Sequence, residues 1–386
     1  MSKVHRISGV ALVLLVVTAT VTVQGALPAT ALADTDSTET PTELATCQEI
    51  TNAGTYVLTE DITTSAETCL NVSADDVTID GNGHEIATGD WDGGTTAIVA
   101  EDVTNVTVRD VGFRNWSEAV RFQDVDGQIR NVTAGLAETD RDGADSILLK
   151  GEGTVTVADS DLEQLLVKTL LGPVDLHARN NTVESGLSLS GATGVVENNT
   201  MDRASLGTGT HDIVFRHNDV VEEGLTVRGG DNITVAENHI RGSTANDDAV
   251  TIRNVGEDFE LVRNVVEDAS NGVRISGNEG SITVAANDVR NTTTGILVEN
   301  VETVDRQQTR CGRSAWVPDV DIHGNAITTT GGLGIDNRAD GWVDADRNYW
   351  GSSDGPSSPG STALMDPVTG QPADGSGAAV SAWDSH

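Results

Sequence analysis

Aromatic residues make up only 3% of this 386-residue chain. A core built on ring packing is therefore excluded, and small branched aliphatic side chains have to fill it, which favours β architecture. Lysine is nearly absent, with Lys3, Lys150 and Lys168 the only three. Lys and Arg together number 23 against 60 Asp and Glu, a formal net charge of −37. A chain so acidic repels polyanions, which excludes an electrostatic nucleic-acid binder. Cysteine is limited to Cys47, Cys69 and Cys311, with none of the Cys/His spacing of a structural zinc site. Long hydrophobic runs are missing as well. The apolar stretch 10–17 falls short of the roughly 20 residues that a membrane span needs. What the chain has in excess is glycine, 41 residues, so frequent turns are expected between short elements.

Residues 1–33 carry Lys3 and Arg6, no acid, and end on Ala31-Leu32-Ala33. This reads as a cleaved secretory signal followed by a linker, 34–46, with no membrane insertion after cleavage. The expected destination is the outside of the cell, secreted or at the cell surface. There, molar salt shortens the Debye length to about 3 Å and lets a lysine-poor acidic surface hold water and cations without self-repulsion. A halophilic habitat is the expectation. Eight Asn-x-Ser/Thr acceptors, Asn71, Asn105, Asn115, Asn131, Asn180, Asn198, Asn232 and Asn291, fit a glycosylated exported surface. In an oxidising compartment Cys47 and Cys69 are expected to pair, a bridge worth about 3 kcal/mol on the chain-entropy model. Cys311 is then left over, free or paired between molecules.

An internal repeat decides the fold. It emerges when the chain is aligned on Asn181, Asn199, Asn218, Asn238, Asn264, Asn287, Asn325 and Asn348, with steps of 18, 19, 20, 26, 23, 38 and 23 residues. Apolar residues recur two positions after each Asn (Val183, Met201, Val220, Ile240) and three and five before it (Phe215 and Ile213, Val235 and Ile233). Alternation with period 2 is a strand with one buried face. A second strand follows as a small residue and an apolar-x-apolar triplet, as in Gly224-Leu225-Thr226-Val227 and Gly272-Val273-Arg274-Ile275. No unit has room for a packed helix. Rungs of about 20 residues can bury their apolar columns only by coiling and stacking roughly 4.8 Å apart. The expected fold is an all-β, right-handed parallel β-helix, a single-stranded solenoid over 47–351. The Asn column is expected to bond along the axis. An N-terminal disulfide-bridged cap and a Gly/Ser/Pro-rich C-terminal cap and tail, 352–386, close the ends.

The stretch from Cys47 through Gly54-Thr55-Tyr56 to Cys69, followed by Asp80-Gly81-Asn82-Gly83-His84, resembles the first coil of exported right-handed parallel β-helix proteins common in haloarchaea. The end, Asn348-Tyr349-Trp350-Gly351 with Asp354-Gly355-Pro356, resembles the last coil of the same group. Those motifs imply the fold and not an activity, because the group includes carbohydrate-binding proteins, sugar hydrolases and lyases, and a β-helix protein that assists a copper site. The histidines fall in different columns, so nothing in the residues supports copper.

Arginine marks the expected site. The outward residues after the second strand run Ser190, Arg228, Arg253, Ser276, Glu299, Asp336, with Arg274 expected outward on the next rung. Acids precede the same strands at Glu222, Glu223, Asp247 and Asp248, and a long turn near this face carries Arg310 and Trp316. Guanidiniums that grip carboxylates, with an indole flat against a sugar ring, suit an extracellular polysaccharide, and Glu223, Arg228, Arg253, Arg310 and Trp316 are the expected binding residues. Two alternatives remain open. Asn246-Asp247-Asp248-Ala249-Val250 and Gly272-Val273-Arg274-Ile275 resemble two polygalacturonase motifs, which implies a hydrolase or lyase with Asp247, Asp248 and Arg274 as catalytic residues. That family's His-Gly motif is missing, and Ser276 stands where the family has Lys. The other alternative is a structural or adhesive envelope protein without catalysis. No cofactor is expected beyond a Ca²⁺ clamped by Asp247 and Asp248 or by Asp142 and Asp145, and the protein is expected to be a monomer.

Overall fold

The computed structural model describes residues 40–89, 95–135, 145–169, 172–243, 248–277, 280–299, 319–339, 343–351, 356–357 and 377–380. Asp142, Asp247, Arg310, Cys311, Trp316 and the signal segment lie outside them. The described elements are all strands, and the pairings between them are parallel, as between Ile213–Phe215 and Ile233–Val235 or Leu225–Arg228 and Val250–Arg253.

The chain is a parallel β-helix. One face is a sheet of 13 strands in which each rung pairs with the next, from Thr42–Leu44 to Asp319–His323. The other 21 strands form the remaining faces. In early rungs these faces are separate strands, such as Glu85–Thr88 and Thr96–Glu101, whereas in later rungs one strand such as Asp219–Arg228 turns the corner. The corner is a register shift, for example between Met201 and Arg203. Alternation appears as expected: in Asp231–Ala236 the residues Ile233 and Val235 are buried and Thr234 between them is half-buried. The filled interior is Val, Ile, Leu and Ala with a few rings, Phe122, Phe215 and Phe259 among them.

The Asn column forms a continuous ladder. Asn218 shows the unit: its backbone N–H and Nδ2 donate to Asn238 Oδ1 at 2.8 and 3.0 Å, and Nδ2 also donates to the Val196 carbonyl at 3.0 Å. The same bonds repeat from Asn181 to Asn348, and Ser160 opens the series by donating its N–H to Asn181 Oδ1 at 3.1 Å. The amide accepts from one neighbour and donates to the other, and at the head of the series the Ser160 hydroxyl plays a similar part, accepting from the Val132 N–H at 3.2 Å and donating to the Ala158 carbonyl at 2.8 Å. The buried turn groups are satisfied in this way without water. The residue before each ladder Asn is left-handed, as at Asn180, Asn198, His217, Glu237 and Arg263, with φ between 54° and 58°. That conformation turns the chain from one face to the next.

Cys47 and Cys69 are bonded, as expected. The coil begins ahead of them, because Thr42–Leu44 already pairs with Gly54–Leu58 and Leu44 is fully buried. At the other end Trp350 is buried, and the short strand Gly377–Val380 from the Gly/Ser/Pro-rich tail pairs with Leu333–Asn337. Both ends thus receive cover for a sheet edge that would otherwise invite association.

Candidate functional site

On the face built from the ends of Asp161–Lys168, Thr182–Ser190, Thr200–Leu206 and Asp219–Arg228, the side chains of Leu166, Ser188, Ser205 and Thr226 form one outward column. They floor an open groove of about 430 Å³, rimmed by Lys168, Arg203 and Arg228. Glu223 also lines it and is bound to Arg203 at 3.1 Å. Two of the sequence-derived binding residues, Glu223 and Arg228, therefore share one groove. Arg203 and Lys168 were not anticipated there. Arg203 registers with Gly224, in the slot that neighbouring rungs fill with glycine, and a Cβ at Gly186 would meet Arg203 Cγ at 2.4 Å. The glycine on the adjacent rung makes the room the guanidinium stem occupies.

Arg228 and Arg253 register directly on adjacent rungs, as expected. Among the described residues neither side chain forms an ion pair or hydrogen bond, and Arg253 Nε is buried without a partner there. Like charges opposite each other on neighbouring strands are destabilising by roughly 0.2–1 kcal/mol, and an unsatisfied buried donor costs about 1–3 kcal/mol. A chain with 60 acids has left these two cations unneutralised.

Arg274 is not in that column. It registers with Thr251 and Leu297, while Arg253 aligns with Ser276 and then Glu299. Asp336 likewise pairs with Leu297 and so joins the column of Arg274. Of the outward column read from the sequence, Arg253, Ser276 and Glu299 hold their register and Asp336 falls two positions away. Arg274 instead bridges two acids. Its Nε donates to Glu299 at 2.7 Å and its Nη1 to Asp248 at 3.4 Å. Asp248 also accepts from Asn271 Nδ2 at 2.7 Å and Thr251 Oγ1 at 3.3 Å. Burial pulls Arg274 down, but Glu299 and Asp248 outweigh it and raise its pKa. The structure thus brings Asp248 and Arg274 together, with both carboxylate oxygens of Asp248 engaged.

Two further charged groups escaped the sequence. Asp202 is raised by burial and then by the nearby Glu222, Glu184, Glu223 and Glu163 carboxylates, at the corner beside the groove. Its signal is only an acid among acids, and their proximity depends on rung register. Glu267 is pushed up by its own burial, but hydrogen bonds from Arg290 at 2.7 Å and His239 at 2.7 Å hold it down at about 2. His239 Nδ1 faces Arg241 at 3.1 Å, which fits an accepting nitrogen, so Nε2 carries the proton toward Glu267. This cluster spans the rungs of Asp219, His239, Glu267 and Arg290, away from the arginine pair, and ties those rungs together.

No protein-family model matches the sequence. A comparison with curated proteins also returns no match. Among solved structures the chain is similar to the periplasmic alginate epimerase AlgG, at 12% identity over 66% of this chain and 77% of that one, with a TM-score of 0.48. It is similar to the A-module of the Azotobacter vinelandii mannuronan C-5 epimerase AlgE4, at 18% identity over 77% and 87%, TM-score 0.39. A third is a complex of the alginate lyase AlyF-OU02, at 13% identity over 88% of each chain, TM-score 0.36. At these values the likeness is one of fold. The class defined by the structure itself is the parallel β-helix protein.

Proposed function

We propose that this protein is exported and binds an anionic extracellular polysaccharide along the face that carries Lys168, Arg203, Arg228 and Arg253. The observation that carries the reading is the unpaired arginine pair, Arg228 beside Arg253, with Arg253 Nε buried and unsatisfied. Two guanidiniums without an ion pair among the described residues are suited to carboxylates arriving from outside, which they can grip bidentately. Successive rungs stand roughly 4.8 Å apart, so a polymer lying along the axis meets cations repeatedly. The hydroxyl floor of Ser188, Ser205 and Thr226 offers hydrogen bonds to sugar hydroxyls. Trp316 and Arg310, which lie outside the described residues, join this reading on the sequence alone. The Cys47–Cys69 disulfide supports an oxidising compartment, and no described helix is long and apolar enough to cross a membrane.

The test incubates the protein in molar NaCl, with and without Ca²⁺, with a polyuronate or a neutral glucan, and follows co-elution and polymer size by chromatography with light scattering. Co-elution with the polyuronate alone, weakened at least tenfold by Arg228→Gln with Arg253→Gln and in part by Trp316→Ala, is the expected result. Unchanged binding in the double variant refutes the site. Shortened polymer, abolished by Asp248→Asn, would assign cleavage instead, and no association with any polymer leaves the envelope-spacer alternative.

A further inference from the structure

Six of the eight Asn-x-Ser/Thr acceptors have their side-chain nitrogen committed to the fold. Asn105, Asn131, Asn180 and Asn232 donate Nδ2 to Asp76, Asp110, Asp159 and Asp212 on the preceding rung, at 2.8, 2.6, 2.9 and 2.6 Å. Asn291 does the same to Asp268, and Asn115 donates to the Thr88 carbonyl at 3.2 Å. In the five Asn–Asp pairs both partners are left-handed, with φ from 50° to 61°. Asn and Asp are the non-glycine residues that tolerate this conformation best, and they mark the coil's corners.

The same geometry explains the rest of the tripeptide. After the corner the chain points inward, and Val106, Val132 and Ile233 are buried. The next residue points outward in a strand, where Thr is favoured, as at Thr107, Thr133 and Thr234. Corner, inward, outward is thus Asn-x-Thr for reasons of folding. The sequence pattern that suggests modification arises here from the shape of the rung.

Two acceptors differ. Asn71 lies within the strand Thr68–Val72 at an ordinary backbone angle, exposed, beside Glu49 and Val99, and its amide has no partner. Asn198 is a left-handed corner, but the corner below it is Asn180, whose own amide already donates to Asp159, so no carboxylate is there to receive it. Asn198 and Thr200 are both exposed. Asn198 and its neighbour Thr200 have no side-chain partner. At Asn71 the partner residue of the tripeptide, Ser73, is exposed and donates weakly to the Ile50 carbonyl at 3.3 Å.

We infer that N-linked glycan is carried at Asn71 and Asn198 alone, and that the other six acceptors are structural corners which stay unmodified. Transfer forms a bond between Nδ2 and the sugar's C1, breaks the C1–O bond to the phosphate of a lipid-linked oligosaccharide donor, and releases one amide proton as the lipid phosphate leaves. At the six corners the nitrogen that must form this bond is packed against an oxygen of the neighbouring rung. Sugar attached there before folding would keep adjacent rungs from closing. At Asn71 and Asn198 the bond forms on an open surface.

The inference rests on export, and the experiment separates the two. Protein is collected from the medium or cell surface of its native host, digested, and every acceptor is scored by glycopeptide mass spectrometry, alongside Asn71→Gln/Asn198→Gln protein from the same host. Glycan at Asn71, Asn198 or both, none at the other six, and a glycan-free double variant that is still exported are expected. Glycan at any of the six, or exported protein bare at both sites, overturns the inference. Protein found only inside the cell overturns export itself. As an independent check, Asn131→Gln lowers the melting temperature of unglycosylated protein more than Asn198→Gln does, because both lose a residue that tolerates the left-handed corner but only Asn131 also loses a hydrogen bond, to Asp110, and equal effects would remove the structural distinction.

Discussion

Asn238 sits in the middle of the buried ladder, and its replacement tests whether the ladder holds the rungs or merely decorates them. Its Oδ1 accepts from the Asn218 backbone N–H and Nδ2, and its Nδ2 donates to the Phe215 carbonyl at 2.9 Å and to Asn264 Oδ1 at 2.9 Å. In Asn238→Ala the Asn218 N–H loses its acceptor in an interior closed to water. One buried unsatisfied donor costs about 1–3 kcal/mol, and the lost donor bonds add roughly 1 kcal/mol. A destabilisation of about 2–4 kcal/mol is expected, read as a lower urea midpoint at constant slope in molar salt. Asn238→Asp keeps the acceptor but sets an oxygen against Phe215 O and Asn264 Oδ1. That carboxyl folds best protonated, so its folded pKa lies above the unfolded one, and stability falls as pH rises through that range. A loss below about 0.5 kcal/mol in the alanine variant, the size of an ordinary surface change, would refute the reasoning.

Glu267 is held down at about 2 by Arg290 and His239 against its own burial. A depressed carboxyl contributes stability above its unfolded pKa, about 4.3, and loses it as pH falls toward 2, so acid unfolding of wild type should be steeper than that of Glu267→Gln; parallel acid curves would contradict this. Reducing Cys47–Cys69, which closes a loop of 22 residues, is expected to lower stability by about 3 kcal/mol. The check is a melt with and without reductant, repeated on Cys47→Ser, and coincident melts would show the first coil does not use the bridge.

The fold was legible in the sequence wherever a residue's role repeats at a fixed place in the rung. Asn181 to Asn348 stand out because each both gives and accepts along the axis. Outward positions are less constrained. Arg228 and Arg253 aligned correctly because both lie three residues after a buried Leu225 or Val250 in uniform strands. Asp336 was misplaced, since counting outward residues cannot see that it aligns with Leu297 and so falls in the column of Arg274. Arg203 was overlooked because it occupies the position where Gly186 and Gly224 announce the same strand on neighbouring rungs. The acceptor tripeptides carry a second meaning that the sequence hides: Asn105 and Asn131 also stand at corners, visible only once Asp76 and Asp110 are seen one rung below.

The ladder also has a direction. Each Asn gives its backbone N–H and one Nδ2 hydrogen bond toward the C-terminal end, returns a second Nδ2 bond to a carbonyl of the preceding rung, and presents its oxygen toward the N-terminal end. The coil is therefore a one-way stack, like a pile of identical cups. A whole rung can be added or lost at any ladder Asn, since both neighbours offer the same fitting, and the spread of steps from 18 to 38 residues shows that corners lengthen freely between fixed joints. A reversed rung has no place in the pile. Growth of such a chain by duplication is easy in length and forbidden in orientation, so the distance spanned by its outer face can change over generations while the way it is read from end to end cannot.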